Sequence, residues 1–420
     1  MSEPAKPDPS ARASNGLLTG HGASVLWFCW FGWAFDFQDL ILFAFLKQSV
    51  ASELGLSTAA LAQIDGATFG AAALGGFVAG RVADRDVLGR GRSRVLVVSI
   101  LLFALAALTC ALAQSFGALL FGRILAGLAV GGEWGIGHAA VAESSPPELR
   151  QRRAAFLQAA TPVGLALAAI NGCFLAPVIG WRGSFAITAL GAVVAAFGRL
   201  AFRNATREAP PRPAAVPARA WELLAPAYRQ RTLRLLFLLV LHMTGFWCCY
   251  AWLPSLLLRE AGASMAFVGG FHLALALVHV VADLAFGSLA DRFGRTRSFV
   301  ALSVLTATGC LAIALGLDWL RTEPWLLLFA LAAVGLGAGT WSAFGTWFTD
   351  GYPDALRATA SCTLYNLARA SQLAAQPLLA ALVSGFGTLA VGVWIAVACA
   401  LGAAFFAPHE SRRPVSAPAT

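Results

Sequence analysis

The stretch Gly80-Arg-Val-Ala-Asp84-Arg85 returns as Gly287-Ser-Leu-Ala-Asp291-Arg292, displaced by 207 residues. The same offset carries Gly132 onto Gly339, Trp134 onto Trp341, Glu143 onto Asp350, Pro146 onto Pro353 and Arg150 onto Arg357. Chance does not align so many different residue types at one spacing, so the chain consists of two related halves. Both are built from apolar runs. Of 420 residues 58% are hydrophobic and only 12% charged, with a mean hydropathy of +0.71. A water-soluble domain of that composition has no polar surface to wear, so lipid is its solvent. A duplicated membrane bundle is the architecture that carriers use.

Several function classes drop out. The net charge of +9 could suggest nucleic acid, but the arginines sit in short loops between apolar runs and not on a face interleaved with aromatics. All eight cysteines lie inside apolar runs, where they act as small hydrophobes, with no disulfide framework and no zinc spacing. No phosphate loop or ATPase motif occurs, so an ion gradient is the expected energy source; no cofactor and no metal are expected. An enzyme would need a nucleophile and base, or a metal cluster, at one depth, and the histidines and serines show no such arrangement.

Residues 1–23 form a polar, proline-bearing tail without the short apolar core of a signal peptide. Twelve apolar segments follow, from Ser24–Leu46 to Leu389–Phe406, each near the ~20 residues that a helix needs to cross a bilayer. The expected fold is all-α: twelve transmembrane helices in two pseudo-symmetric six-helix bundles, 24–202 and 232–407. The proline-rich stretch 203–231 is the linker between them, and 408–420 is a tail. Loops on one side hold most of the arginines; the other side has only Lys47, Arg182, Arg259 and Arg321. The arginine-rich side is therefore cytoplasmic, with both termini on it.

The Asp-Arg motif after the second and eighth segments, followed by Gly89-Arg90 and Gly294-Arg295, resembles the signature loop of the major facilitator superfamily. Within it, Phe121-Gly-Arg123-Ile-Leu-Ala-Gly127 through Gly131-Gly132-Glu133-Trp134-Gly135, with Glu143 and Pro147-Glu-Leu-Arg150, is similar to bacterial proton symporters for sialic acid, aromatic acids and other metabolites. The first loop departs from the pattern, since Asp86-Val87-Leu88 adds two residues before Gly89. The resemblance implies a carrier of the bacterial inner membrane, functional as a monomer, whose partners are a small organic anion, protons and the lipid bilayer. It also implies gating by cytoplasmic charge networks of Asp84, Arg85, Glu143 and Arg150 with their repeat-mates Asp291, Arg292, Asp350 and Arg357. A static topology anchor is the alternative for those charges.

Asp36 and Asp39, three residues apart, share a face of the first segment, where a charge costs roughly 2.5 to 3.5 kcal/mol unless it meets a cavity or a partner. Arg123 on the fourth segment lies at matching depth. An acid buried beside an arginine is what a reversible proton carrier requires. Asp36 is the favoured carrier, with Arg123 as its partner; Asp39 and Glu133 are further candidates. Phe35-Asp36-Phe37 resembles the first-span motif of the organic-acid symporters, in which an earlier acid stands where this chain has Trp33. The glycines at 127, 131, 132 and 135 read as a close helix contact.

On the eleventh segment Cys362, Tyr365, Asn366, Arg369, Gln372 and Gln376 fall within about 120° of arc, a polar stripe facing water or ligand. Arg369 has no acid in its own helix, so a carboxylate from another segment or a substrate anion must neutralise it. A guanidinium grips a carboxylate through two prongs, which favours an organic acid over a sugar. Gln158, Thr161, Trp247, Tyr250 and Trp341 are candidates to complete the pocket. His272, His279 and Asp283 on the eighth segment form either a proton relay or a satisfied buried hydrogen bond. The function expected is import of an organic anion with protons; a proton-driven exporter and a transport-inactive sensor remain alternatives.

Overall fold

The computed structural model describes residues 18–19, 22–84, 91–146, 149–202, 220–317 and 325–408. Among them every regular element is helical. The helices are α1 (Ala23–Leu54), α2 (Thr58–Asp84), α3 (Gly91–Ala111), α4 (Phe116–Val130), α5 (Glu133–Ser144), α6 (Arg150–Gln158), α7 (Ala160–Ala169) and α8 (Ala176–Phe202). They continue as α9 (Pro226–Tyr250), α10 (Leu253–Arg259), α11 (Met265–Phe293), α12 (Arg295–Leu315), α13 (Trp325–Gly337), α14 (Trp341–Gly351), α15 (Asp354–Ala370), α16 (Gln372–Phe386) and α17 (Ala390–Phe406). Among the described residues eight helical runs are long and apolar enough to cross a bilayer, and two shorter apolar helices accompany them.

Helix is the only open structure that satisfies its own backbone in hydrocarbon, and the chain departs from it where packing against other helices shields the break. Gly131 and Gly132 interrupt the ladder between α4 and α5; at the same place in the repeat, Ala338–Thr340 is a 3-10 turn between α13 and α14. A six-residue π segment, Ile170–Leu175, follows α7. Gly180, at φ 72° and ψ 165°, breaks the run within α8, a conformation that a side chain would resist. Within the expected linker 203–231, Ala220–Leu224 forms a 3-10 turn and Pro226 opens α9 at its first helical position. Residues 203–219 lie outside the described part.

The packing repeats with the sequence. In the first half α2 packs on α4, α3 on α8 and α1 on α7; in the second, α11 packs on α13, α12 on α17 and α9 on α15. Between the halves α2 meets α15 and α16, and α11 meets α7. The expected glycine seam lies between α2 and α4. A Cβ on Gly127 would stand 2.2 Å from the Thr68 carbonyl oxygen, and one on Gly131 2.0 Å from that of Ala72. Backbones approach there as in other small-residue membrane contacts.

Burial runs as lipid demands. Leu74, Leu105, Leu112, Leu190, Leu277 and Phe405 are exposed, whereas Asp36, Asp39, Lys47, Asp65, Arg123 and Arg369 are buried. The eight cysteines are free thiols, and all but the half-buried Cys362 are buried.

Candidate functional site

A narrow cavity of about 20 Å³ lies where the two halves face each other, lined by Trp33, Phe37, Trp134, Gln158, Thr161, Phe246, Trp247, Trp341, Phe344 and Tyr365. That is room for about one water. Gln158, Thr161, Trp247, Trp341 and Tyr365 belong to the wall as the sequence suggests. Trp33, Phe37, Trp134, Phe246 and Phe344 were not expected there; as apolar residues in apolar runs they carry no signal that separates a cavity wall from packing. Trp33, where the symporter motif has an acid, donates its indole N–H to Thr161 Oγ1 at 2.8 Å. Gln158 accepts from the Trp134 indole at 3.3 Å and donates to Thr161 Oγ1 at 3.2 Å. The wall is thus aromatic, with a small polar cluster on one side.

Tyr250 does not join this cavity. It stacks on Phe246, with centroids 4.1 Å apart, and lines a separate chamber of about 40 Å³ behind α9, with His242, Ser303 and Cys399. Phe246, one turn before Tyr250 and on the same side of α9, borders both spaces, whereas Trp247 borders the central cavity alone.

Arg369 lies one turn beyond Tyr365 on α15, 2% exposed. One guanidinium nitrogen donates to the Tyr365 hydroxyl at 3.2 Å, and the group rests 4.8 Å from the centre of that ring. Among the described residues its other terminal nitrogen has no hydrogen-bond partner and no carboxylate pairs with it. The polar stripe continues away from the cavity. Gln372 donates to Thr244 at 3.0 Å, Gln376 donates to Gln372 at 3.2 Å, and Gln376 accepts from the Trp252 indole at 3.0 Å. Asn366 turns toward α2, where its amide approaches Gly76. Gln372 and Gln376 therefore tie helices together here, Asn366 donates to the Cys362 carbonyl of its own helix, and none of the three lines the cavity.

Arg123 pairs with Asp39 and not with Asp36: its guanidinium is 2.5 Å from Asp39 Oδ2, both groups buried. Asp36 and Asp39 share a helical side, but the equal depth of Asp39 and Arg123 decides the partner. Asp36 is buried close by, and Glu133 is buried at the start of α5 beside the cavity residue Trp134.

A second buried pair was missed. Lys47, expected among the few cations of the extracellular side, is fully buried in α1, 2.5 Å from Asp65 Oδ2 on α2. Part of the signal was present: an acid inside the second apolar run requires a partner, and the nearest cations are Lys47 before it and Arg81 after it in the chain.

His279 Nε2 stands 3.5 Å from Asp283 Oδ2, Ser342 donates to the other Asp283 oxygen at 3.2 Å, and His272 meets the Val268 carbonyl at 2.7 Å. Arg85 lies outside the described residues, as do the side chains of Asp84, Glu143, Arg150, Asp350 and Arg357. Asp291 and Arg292 are exposed, with Arg292 5.1 Å from the Phe293 ring centre.

A repeated, all-helical membrane chain with charges buried between its halves is a transport protein. The Major Facilitator Superfamily model matches residues 25–362 and 235–420, so the chain belongs to that family. It is a transporter of small metabolites and not an enzyme. A metabolite transport protein of Haemophilus influenzae is 32% identical over 372 residues, 86% of each chain. The cis,cis-muconate transport protein of Acinetobacter baylyi is 28% identical over 88% of each chain. The 3-(3-hydroxy-phenyl)propionate transporter of Escherichia coli is 30% identical over 77% of each.

Proposed function

We propose that the protein imports a small organic anion, an aromatic or unsaturated carboxylate, together with protons. Two six-helix bundles, residues 24–202 and 232–407, rock about the central cavity; twelve helices cross the bacterial cytoplasmic membrane, with both termini inside, and a monomer suffices. The observation that carries this reading is Arg369: a buried guanidinium with one unpartnered nitrogen, one turn from a cavity walled by aromatic rings. A carboxylate completes the guanidinium by a two-pronged contact, while Trp33, Trp134, Trp247, Trp341 and Tyr365 offer faces and edges to a planar body. The names of the relatives agree, since muconate and hydroxyphenylpropionate are carboxylates.

Asp39 takes the proton in this scheme. Protonation weakens its hold on Arg123, and a proton and an anion entering together leave the interior with no added charge. Asp36 and Glu133 are the neighbouring acids through which a proton reaches or leaves it. The charges at 84, 85, 143 and 150 and their repeat-mates close the cytoplasmic side.

Uptake of labelled benzoate, hydroxybenzoates, muconate and sialic acid into proteoliposomes under an imposed pH gradient tests the reading. Accumulation of one acid that follows the gradient, and is abolished in Arg369→Ala, supports it. Folded protein that accumulates none of them, or an Arg369→Ala variant that accumulates acid as well as the parent, overturns it.

A further inference from the structure

Lys47 has no part in the scheme above, yet it is the most completely enclosed cation described. It is 0% exposed, and three groups surround its ammonium: Asp65 Oδ2 at 2.5 Å, the Ala251 carbonyl oxygen at 2.8 Å and the Trp252 ring centre at 3.8 Å. Asp65 belongs to the same half as Lys47. Ala251 and Trp252 belong to the other half, in the break between α9 and α10. An ammonium offers three donor directions and, away from water, needs all of them met. Here they are met only while the two halves touch. Trp252 is itself held from behind by Gln376, so the ring cannot turn aside to follow the lysine.

The second observation is a line of residues along α1. Asp39, Phe43 and Lys47 recur at four-residue spacing and so share one side of the helix. The Phe43 ring centre lies 5.3 Å from the Arg123 guanidinium and 5.8 Å from the Lys47 ammonium. Asp39, Arg123, Lys47 and Asp65 thus form one buried group of two anions and two cations, formally neutral, with an aromatic ring between the cations. Among the described residues the thiols of Cys110 on α3 and Cys248 on α9 also act on it, and the buried acid Asp36 lies less than one turn from Asp39 on α1. The Glu53–Arg182 pair lies further out, at the exposed end of α1.

We propose that Lys47 is the latch of the extracellular face and the residue that connects this latch to the proton site, resting on the alternating-access reading above. Lys47 stays with Asp65 and gives up Ala251 and Trp252 when the outer face opens. A proton on Asp39 leaves the four-residue group with one excess positive charge. Water entering at Lys47 relieves that charge, so protonation favours the open outer face. An arriving carboxylate restores neutrality and lets the latch close again. The arrangement also predicts tight coupling: a protonated carrier without substrate stays open outward and leaks no proton inward.

Hydrogen–deuterium exchange on the full chain in nanodiscs tests this without any substrate. Segments 245–262 and 372–386 report the outer face, and 290–300 the opposite one. The variants are Trp252→Leu, Asp39→Asn and the neutral double variant Lys47→Met/Asp65→Asn, which leaves no buried charge unpaired. The latch requires each of the three to exchange about tenfold faster or more at the outer segments, the equivalent of about 1.4 kcal/mol or more, with the opposite face unchanged or slower. A double variant that exchanges like the parent, or equal acceleration at both faces, makes the pair mere packing and overturns the latch. An Asp39→Asn variant without effect at the outer face removes the connection to the proton site. Failure of carboxylate uptake would overturn the proposed function and leave these exchange results standing.

Discussion

Trp134 lies flat against Tyr365, with ring centroids 4.3 Å apart and planes 8° from parallel, so that α5 of one half and α15 of the other meet through a stacked pair. Trp341, the repeat-mate of Trp134, reaches the same tyrosine from the second half, 6.5 Å away at 61°. The two copies of one repeat position therefore hold Tyr365 from two directions, and Tyr365 in turn carries Arg369. Such aromatic pairs contribute about 0.5–1.5 kcal/mol beyond their buried area. Trp134→Leu is expected to weaken carboxylate binding by roughly three- to tenfold, through a looser Tyr365 and Arg369. Titration of the purified carrier with benzoate by calorimetry measures this; unchanged affinity would remove the stack from the binding site.

Arg369→Lys is expected to fail nearly as badly as Arg369→Ala. Lysine keeps the charge but has no planar fork, and it cannot both hold the Tyr365 hydroxyl and grip a carboxylate with two prongs. Loss of a buried charge-assisted contact of this kind costs about 2–5 kcal/mol, so transport should fall by roughly thirtyfold or more in both variants. Initial rates of acid uptake decide it. Lysine restoring half of the parent rate would mean that only the charge matters.

Much of the architecture was legible from the sequence because the repeat fixes it. The offset that pairs Trp134 with Trp341 also pairs the Gly131–Gly132 break with the 3-10 turn at Ala338–Thr340, and the glycines of the fourth segment mark a helix contact that the structure contains. Arg369 and the cavity residues Gln158, Thr161, Trp247 and Trp341 stood out as polar or large residues on otherwise apolar segments. Partners were harder to read. Asp36 and Asp39 differ by less than one turn, and the choice of Arg123 between them depends on a few ångströms of helix depth and rotation. Lys47 sits at the end of an apolar run, where a cation normally reaches the headgroups; only the fold of α9 and α10 across it makes it a buried residue. The separation of Tyr250 from Trp247 has the same origin, a rotation about α9 that composition does not encode.

The glycine seam gives a stability test with an internal control. A Cβ on Gly131 would stand 2.0 Å from the Ala72 oxygen and 2.4 Å from the Gly76 nitrogen, both backbone atoms that cannot swing aside. Gly131→Ala is therefore expected to separate α2 from α4 and to cost about 1–3 kcal/mol, the range for overpacking. At Gly80, on the same helix α2, a Cβ meets nothing within 4 Å, and alanine should be neutral or stabilising by up to about 1 kcal/mol through helix propensity. Thermal unfolding in detergent should show a lowered midpoint for Gly131→Ala alone. Equal midpoints for the two variants would contradict the close contact.

Asp39→Asn separates coupling from binding. Asparagine keeps the size of the side chain and a carbonyl oxygen for the Arg123 guanidinium 2.5 Å away, but it can no longer carry a titrating proton. The variant should lose uphill accumulation under a pH gradient while still exchanging internal for external labelled acid at equal concentrations, since exchange needs only the loaded carrier to reorient. Arg369→Ala should lose both activities, because its defect lies in binding. Counterflow and gradient-driven uptake, measured in the same proteoliposomes, distinguish the two. An Asp39→Asn variant that still accumulates acid against its gradient would move the proton to Asp36 or Glu133, the remaining buried acids beside the cavity.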